Sequence, residues 1–317
     1  MLVTGASGFV GAAVVRHAAT KSWRVRAAAR RPLVDLPAPV ELVCGGDLAV
    51  ASGWSTVLDG VEAVVHCAAR VHVMRETAAD PLAAFRATNV AGTARLARQA
   101  AAAGARRFVY LSSLHVNGNE TFDRPFTAAD TPAPRTPYAV SKLEAEVALG
   151  DIATETGLEV VVLRPPLVFG PGVAGNFAQL MRALYRRLPL PFGAIGNRRS
   201  LVGLDNLVDL ILVCARHPQA AGRTFLVSDG EDLSTPELLR RTAAALGVRA
   251  GLLPVPAGAL RALAALVGKG DIAQRLCGSL QVDMGATRKQ LGWSPPCSVD
   301  AQLRRTADHF LANLAPG

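Results

Sequence analysis

Short apolar runs alternate with longer helical stretches through the first half of this 317-residue chain. Residues 1–4, 24–29, 40–44, 63–67, 108–112 and 159–164 are compact runs of Val, Leu, Ala and aromatic side chains, and they predict strands. Helical length and spacing appear from the glycines near residue 8 to about residue 20, over 81–103, and over 136–156. Strands apolar on both faces, separated by helices, predict a parallel sheet covered on both sides, an α/β fold. Beyond Arg164 the pattern loosens. Pro165, Pro166, Pro171, Pro189 and Pro191 interrupt it, 201–204 and 224–227 read as further short strands, and helices then dominate. The expected division is a sheet domain over 1–165 that also receives about 200–228. A smaller, mostly helical part is expected from 166–199 and 229–317.

Thr4-Gly5-x-x-Gly8-x-x-Gly11 falls between the first predicted strand and the first predicted helix. Glycines permit a tight turn and close backbone approach, and the helix start offers free N–H groups and a partial positive charge to a pyrophosphate. The sheet is therefore expected to be a Rossmann-type doubly wound parallel sheet that binds a dinucleotide through Gly5, Ser7, Gly8, Phe9, Val10 and Gly11. At the end of the second strand an acid would bond the ribose 2′-OH of NAD, whereas Arg accommodates a 2′-phosphate. The chain reads Ala29-Arg30-Arg31 there, with no acid. NADP(H) is thus the preferred cofactor and NAD(H) the possible one, with solvent-facing arginines as the plainer reading of Arg30 and Arg31. Asp47, with Leu48 beside it, is a candidate contact to the adenine. Ala68 and Ala69, in His66-Cys-Ala-Ala69, are small enough to lie against a dinucleotide. His66 itself reads as a strand-end histidine with its bonds satisfied.

Tyr138-Ala-Val-Ser-Lys142 carries the candidate chemistry. Spacing of i, i+4 puts phenol and ammonium on one helix face. A phenol with pKa near 10 is a poor base, and a neighbouring cation favours the phenolate, which makes a tuned proton donor or acceptor. Composition narrows the partners. The net charge of +9 comes almost wholly from scattered Arg and fits small anionic ligands as well as plain composition bias. No basic cluster with interleaved aromatics points to nucleic acid. Five Cys lack a CxxC and six His are dispersed, so reduced thiols and no metal site are expected. The start Met-Leu-Val-Thr-Gly has no charged leader, and the apolar stretch 252–267 holds Pro254, Pro256 and Arg261. A cytoplasmic protein without membrane insertion is expected, with 252–267 a buried or docking helix.

With both motifs placed, the chain resembles the extended short-chain dehydrogenase/reductases, in their nucleotide-sugar epimerase/dehydratase branch. TGASGFVG, Asn89 in ATNVAGT, LSSLHVNG, YAVSK, LRPPLVFGPG and RKQLGWSPP follow the family's order nearly end to end. The resemblance implies Tyr138 as general acid/base, Lys142 on the nicotinamide ribose, and Ser113 bonding the reacting oxygen, with Ser112 the neighbouring, more structural candidate. It implies Asn89 near the cofactor as a structural or water-ordering residue, and Pro165 beside the cofactor. On the substrate side it implies Asn176 close to a UDP-sugar pyrophosphate, and Arg199 and Arg275 clamping the phosphates; Arg198 adjoins Arg199. A homodimer through the 81–103 and Tyr138 helices is a further implication.

Departures narrow the reaction. Leu114-His115 stands where 4,6-dehydratases carry an Asp-Glu pair, which argues against water elimination. His115 is open to a substrate contact or a packing role. Leu280 falls about where the family tunes its pocket, compatible with a 2-acetamido sugar. The resemblance implies reduction of a UDP-4-keto-6-deoxy-N-acetylhexosamine, giving UDP-N-acetylquinovosamine for surface polysaccharide. A UDP-sugar 4-epimerase would use the same residues. A non-catalytic dinucleotide-binding regulator would typically lack the Tyr/Lys pair. A steroid- or flavonoid-type reductase would leave the arginine pair without phosphates.

Overall fold

The structure is a computed structural model that describes residues 1–30, 37, 39–44, 46–50, 53–71, 80–266, 268 and 270–314. The chain opens with β1 (Leu2–Thr4), α1 (Phe9–Thr20), β2 (Val25–Ala29), β3 (Val40–Cys44), the single turn α2 (Ser55–Leu58) and β4 (Ala63–His66). A long helix follows in three parts: α3 (Pro81–Phe85), a π-helical stretch Arg86–Gly92, and α4 (Thr93–Ala102). Then come β5 (Arg107–Leu111), α5 (Pro137–Thr156) and β6 (Glu159–Arg164). The second half adds β7 (Leu167–Phe169), α6 (Gly175–Tyr185), β8 (Arg199–Gly203), α7 (Leu204–Arg216), β9 (Arg223–Leu226) and β10 (Asp232–Leu233). Helices α8 (Thr235–Ala245), α9 (Ala257–Leu266), α10 (Gly270–Cys277), α11 (Gly285–Leu291) and α12 (Val299–Ala312) close it.

Seven strands pair in the order β3-β2-β1-β4-β5-β6-β9, all parallel. The Val and Leu side chains of β1, β4 and β6 are buried on both faces, as a parallel sheet covered by helices requires. One face is packed by α1 and α7 through Val14, Val15, Leu207 and Ile211. The other is packed by α4 and α5 through Leu96, Leu149 and Ile152. Each such side chain contributes about 1.5–3 kcal/mol on full burial. Helix α5 begins at a defined point because the Thr136 hydroxyl accepts from Ala139 N at 3.2 Å and Pro137 occupies the first turn.

Two differences from the sequence pattern have physical causes. The predicted strand 201–204 begins at Arg199 and joins a separate small sheet, β10-β8-β7, instead of the large one. That sheet has its own core, formed by Phe169, Phe177, Met181, Leu239 and Leu303, so the C-terminal part is not held by helices alone. The predicted helix 81–103 contains the π-helical stretch, an insertion of the kind that frequently marks functional sites. No helix among the described residues is long and apolar enough to cross a membrane.

Candidate active site

The chain leaves β1 toward β2 on one side and later returns with β4 on the other. Strand order therefore reverses at the C-terminal ends of β1 and β4, where an α/β sheet opens its ligand crevice. The glycine turn fills that place. Gly5 has φ +68°, and a Cβ on it would lie 2.7 Å from Ala68 N. A Cβ on Gly11 would lie 2.1 Å from the Gly5 carbonyl oxygen. Gly8 caps α1 with no side-chain bond, and the first turn holds no acid. The helix start thus presents uncapped amides and its positive dipole end, the features a dinucleotide pyrophosphate requires. Ser7 and Gly8 are exposed, while Phe9 and Val10 are half-buried against the core.

Around the turn, Ala68 and Ala69 are half-buried and Arg30 is exposed directly after β2. Arg31 lies outside the described residues. Asp47 is exposed and its carboxylate accepts from Ala49 N at 2.9 Å, while Leu48 is buried. His66 is fully buried, with Nδ1 2.6 Å from Thr4 Oγ1 and Nε2 2.9 Å from Thr93 Oγ1. Burial, aided by the Lys142 charge, lowers its pKa to about 3. It is a neutral brace between β1, β4 and α4.

Tyr138 stands in the first turn of α5 and Lys142 one turn on. The Lys142 ammonium, 2% exposed, lies 5.9 Å from the Tyr138 ring centroid and 4.5 Å from that of Tyr110. It donates to the Leu111 carbonyl at 2.8 Å. Burial pulls Lys142 down to about 8, against the upward pull of Cys67 and Glu146. Burial likewise pushes Tyr138 up to about 12. The expected lowering of the phenol by its lysine is therefore outweighed by desolvation.

Ser113 is buried just beyond β5, and its hydroxyl accepts from His115 N at 3.3 Å, opening the 3₁₀ turn Leu114–Val116. Pro165, buried just past β6, accepts from Leu114 N at 2.9 Å. The structure thus gathers Ser113, Tyr138, Lys142 and Pro165 around the ends of β5 and β6. His115 Nδ1 lies 3.1 Å from Asn119 Oδ1. Asn89, on the π-helical stretch, donates to Arg70 O and Ser141 Oγ at 3.0 Å and accepts from Arg70 N at 2.8 Å. It ties the chain beyond β4 to the tyrosine helix.

On the substrate side, Arg199 Nη1 donates to the carbonyls of Arg275 at 2.7 Å and Gly278 at 3.0 Å. Burial lowers the Arg199 pKa, with Glu120 acting against it. Arg199 and the Arg275 backbone are thus brought together, with the Arg275 side chain exposed in the last turn of α10. Asn176 lies on the exposed first turn of α6. Leu280 is buried in the main core. A cavity of about 600 Å³ opens beside the 117–135 loop, lined by Asn117, Glu120, Phe126, Asp130, Arg135 and Gln274.

Sequence reasoning missed Glu146, Arg164 and Asn117, which form a buried polar chain behind the pair, and Asn197, which braces Leu276 and Gly278. A carboxylate four residues after Lys142, and a charge ending an apolar strand, were the available signals.

A dinucleotide crevice beside a buried tyrosine–lysine pair defines an oxidoreductase-type enzyme of the short-chain dehydrogenase/reductase class. Residues 1–228 match the model of the NAD dependent epimerase/dehydratase family, and the chain belongs to that family. A UDP-glucose 4-epimerase of Vibrio cholerae is 44% identical over 313 residues, covering 98% of this chain and 95% of the relative. Among solved structures, MoeE5 in complex with UDP-glucuronic acid and NAD matches with TM-score 0.79 and 25% identity, covering 99% of both chains. The UDP-glucose 4-epimerase of Thermotoga maritima, with UDP-glucose, shares the fold at TM-score 0.78 and 22% identity, covering 99% of both chains. The cofactor class is NAD(P).

Proposed function

We propose that the protein transfers hydride between a nicotinamide cofactor and C4 of a UDP-linked sugar, with Tyr138 exchanging the proton. The observation that carries this is the Tyr138–Lys142 pair on α5, held by Leu111 O against the strand end that bears Ser113. Ser113 bonds the reacting oxygen, Lys142 holds the nicotinamide ribose, and Asn89 keeps α5 in register with the chain after β4. Bound nicotinamide supplies or accepts the hydride. Arg199, Arg275 and Asn176 serve the diphosphate. UDP-sugars in the neighbouring complexes, and the name of the Vibrio cholerae relative, support this substrate class.

The chain's own residues favour reduction by NADPH over dehydration, and the substrate that the family resemblance implies is a UDP-4-keto-6-deoxy-N-acetylhexosamine, giving UDP-N-acetylquinovosamine for surface polysaccharide. Arg30 stands exposed after β2 where no acid would repel a 2′-phosphate. Leu114-His115 follows Ser113 in place of acids suited to dehydration. A 4-epimerase is the second reading, favoured by the 44% identical relative and by NAD in MoeE5.

The test incubates purified protein, without added cofactor, with UDP-glucose, UDP-galactose and their N-acetyl counterparts, and follows C4 configuration by NMR. Interconversion means an epimerase with retained cofactor and overturns the reductase reading. No interconversion, with NADPH consumed by a UDP-4-keto sugar, supports it. Neither reaction would remove the C4 proposal. Tighter binding of NADH than NADPH in a titration would overturn the role given to Arg30.

A further inference from the structure

Glu146 lies one turn beyond Lys142 on α5, with its carboxylate buried behind the pair. Its Oε1 accepts a short bond from the Ser112 hydroxyl and one from Arg164 Nε at 3.0 Å, and its Oε2 accepts from Arg164 Nη2 at 2.5 Å. The side chains of Arg164 and Glu146 are 6% and 8% exposed. Arg164 Nη1 donates on to Asn117 Oδ1 at 3.0 Å, and Asn117 Nδ2 donates to Thr127 O at 3.0 Å. One carboxylate thus joins α5, the end of β5, the end of β6 and the loop that lines the 600 Å³ cavity. A buried ion pair is an expensive way to fill space, since apolar side chains of similar volume are often as stable. Its bidentate geometry instead holds direction.

The strand end is gripped at consecutive residues. Lys142 holds the Leu111 carbonyl, Glu146 holds the Ser112 hydroxyl, and Ser113 is next in the chain. We propose that Glu146 is the positioning residue of this site: through Ser112 and Arg164 it fixes the Ser113 strand end against the helix bearing Tyr138 and Lys142, and it supplies the fixed negative charge behind that lysine. This rests on reading Tyr138 and Lys142 as the acid/base pair.

The groups facing Lys142 are His66 and Cys67 from β4 and the residue after it, Tyr110 from β5, and Tyr138 and Glu146 from its own helix. At neutral pH His66 is uncharged, with its pKa near 3, and burial raises Cys67 to about 12, Tyr138 to about 12 and Tyr110 well above 10. Among these groups Glu146 carries the negative charge that opposes desolvation of the ammonium, offset in part by the Arg164 guanidinium paired with it on the far side. Removing that charge lowers the Lys142 pKa, so loss of the ammonium begins at lower pH.

Glu146→Gln in the full chain is expected to lower kcat by about ten- to a hundredfold, as misplacement of a reacting group does, with KM within about twofold. The high-pH limb of the rate profile should move down by about one pH unit. Asn117→Ala cuts only the last link, so it should raise KM and leave the pH profile in place. Should Glu146→Gln fail to fold because Arg164 is left unpaired, Glu146→Gln/Arg164→Met removes that guanidinium and should show the same loss of kcat, with a smaller pH shift because a positive charge leaves together with the negative one. A folded Glu146→Gln with wild-type kcat and profile, or a folded double variant with wild-type kcat, overturns the proposal. The Lys142 ammonium is also followed directly by NMR of ¹³Cε-labelled lysine, resolvable because the chain has four lysines. An unshifted Lys142 titration in the variant overturns the electrostatic role whatever the reaction proves to be. An inactive wild type with a shifted Lys142 removes the C4 reading and leaves the electrostatic role standing.

Discussion

Burial acts in opposite directions on Tyr138 and Lys142. It raises the phenol to about 12 and lowers the ammonium to about 8, so at neutral pH the tyrosine holds its proton and the lysine remains mostly charged. A neutral phenol beside a cation is suited to donating a proton to a developing alkoxide, the direction of ketone reduction. Tyr138→Phe removes that donor and should leave less than a tenth of the wild-type rate, with cofactor binding retained; a rate above a tenth removes the acid/base role. Tyr110 is a different case. Its hydroxyl is buried with no hydrogen-bond partner among the described residues, while its ring lies under Lys142. Tyr110→Phe keeps the cation–π contact and removes an unsatisfied group, so thermal unfolding should show a stabilisation of about 1 kcal/mol. The Tyr138–Lys142 spacing was legible in the chain, but the sign of the phenol's shift was not, because desolvation depends on what the fold stacks over α5.

At the scale of elements, the glycine turn and the His66 brace hold the crevice together. Gly11→Ala drives a Cβ into the Gly5 carbonyl, a backbone contact that no rotamer relieves. Calorimetric titration should show NADPH affinity reduced at least about tenfold, and unfolding a loss of about 1–3 kcal/mol. Unchanged binding would take the pyrophosphate away from this turn. His66 joins β1, β4 and α4 as a neutral ring. Its pKa falls from an unfolded value near 6.5 to about 3. Between those values the unfolded chain binds the extra proton, so stability is lost as pH falls from about 6.5 toward 3, by up to a few kcal/mol. Asp229, raised to about 6 by burial, works the other way between about 4 and 6. The check is therefore a comparison: His66→Asn should flatten the acid-side loss of melting temperature relative to wild type. Strands β3 and β6 were readable to the residue because their Val-rich runs are bounded in the sequence by Pro39 and Gly45, and by Gly157 and Pro165. The π-helical stretch was not, since its partners at Arg70 and Ser141 lie on other elements.

At the scale of the whole molecule, the π-helical stretch and α4 pack along α5, braced by Arg86–Glu144 at 2.6 Å and Arg98–Glu155 at 3.1 Å. Val147 on α5 is 58% exposed. If these helices form a dimer interface, light scattering should give twice the chain mass, and Val147→Glu should give the monomer with its melting temperature within a few degrees of wild type. A monomeric wild type ends that proposal. The chain's own pattern determined the parallel sheet, the glycine turn and the Tyr138–Lys142 spacing. Each of these is local: strand runs declare their burial by composition, Gly5 and Gly11 answer to backbone geometry, and i, i+4 is a property of one helix. Only the tertiary structure decided that β8 leaves the large sheet for β7 and β10, that Arg199 meets the backbone of Arg275, and that Glu146 answers Arg164 behind the lysine. Those outcomes depend on residues far apart in sequence and on how completely water is excluded between them, and both come from packing.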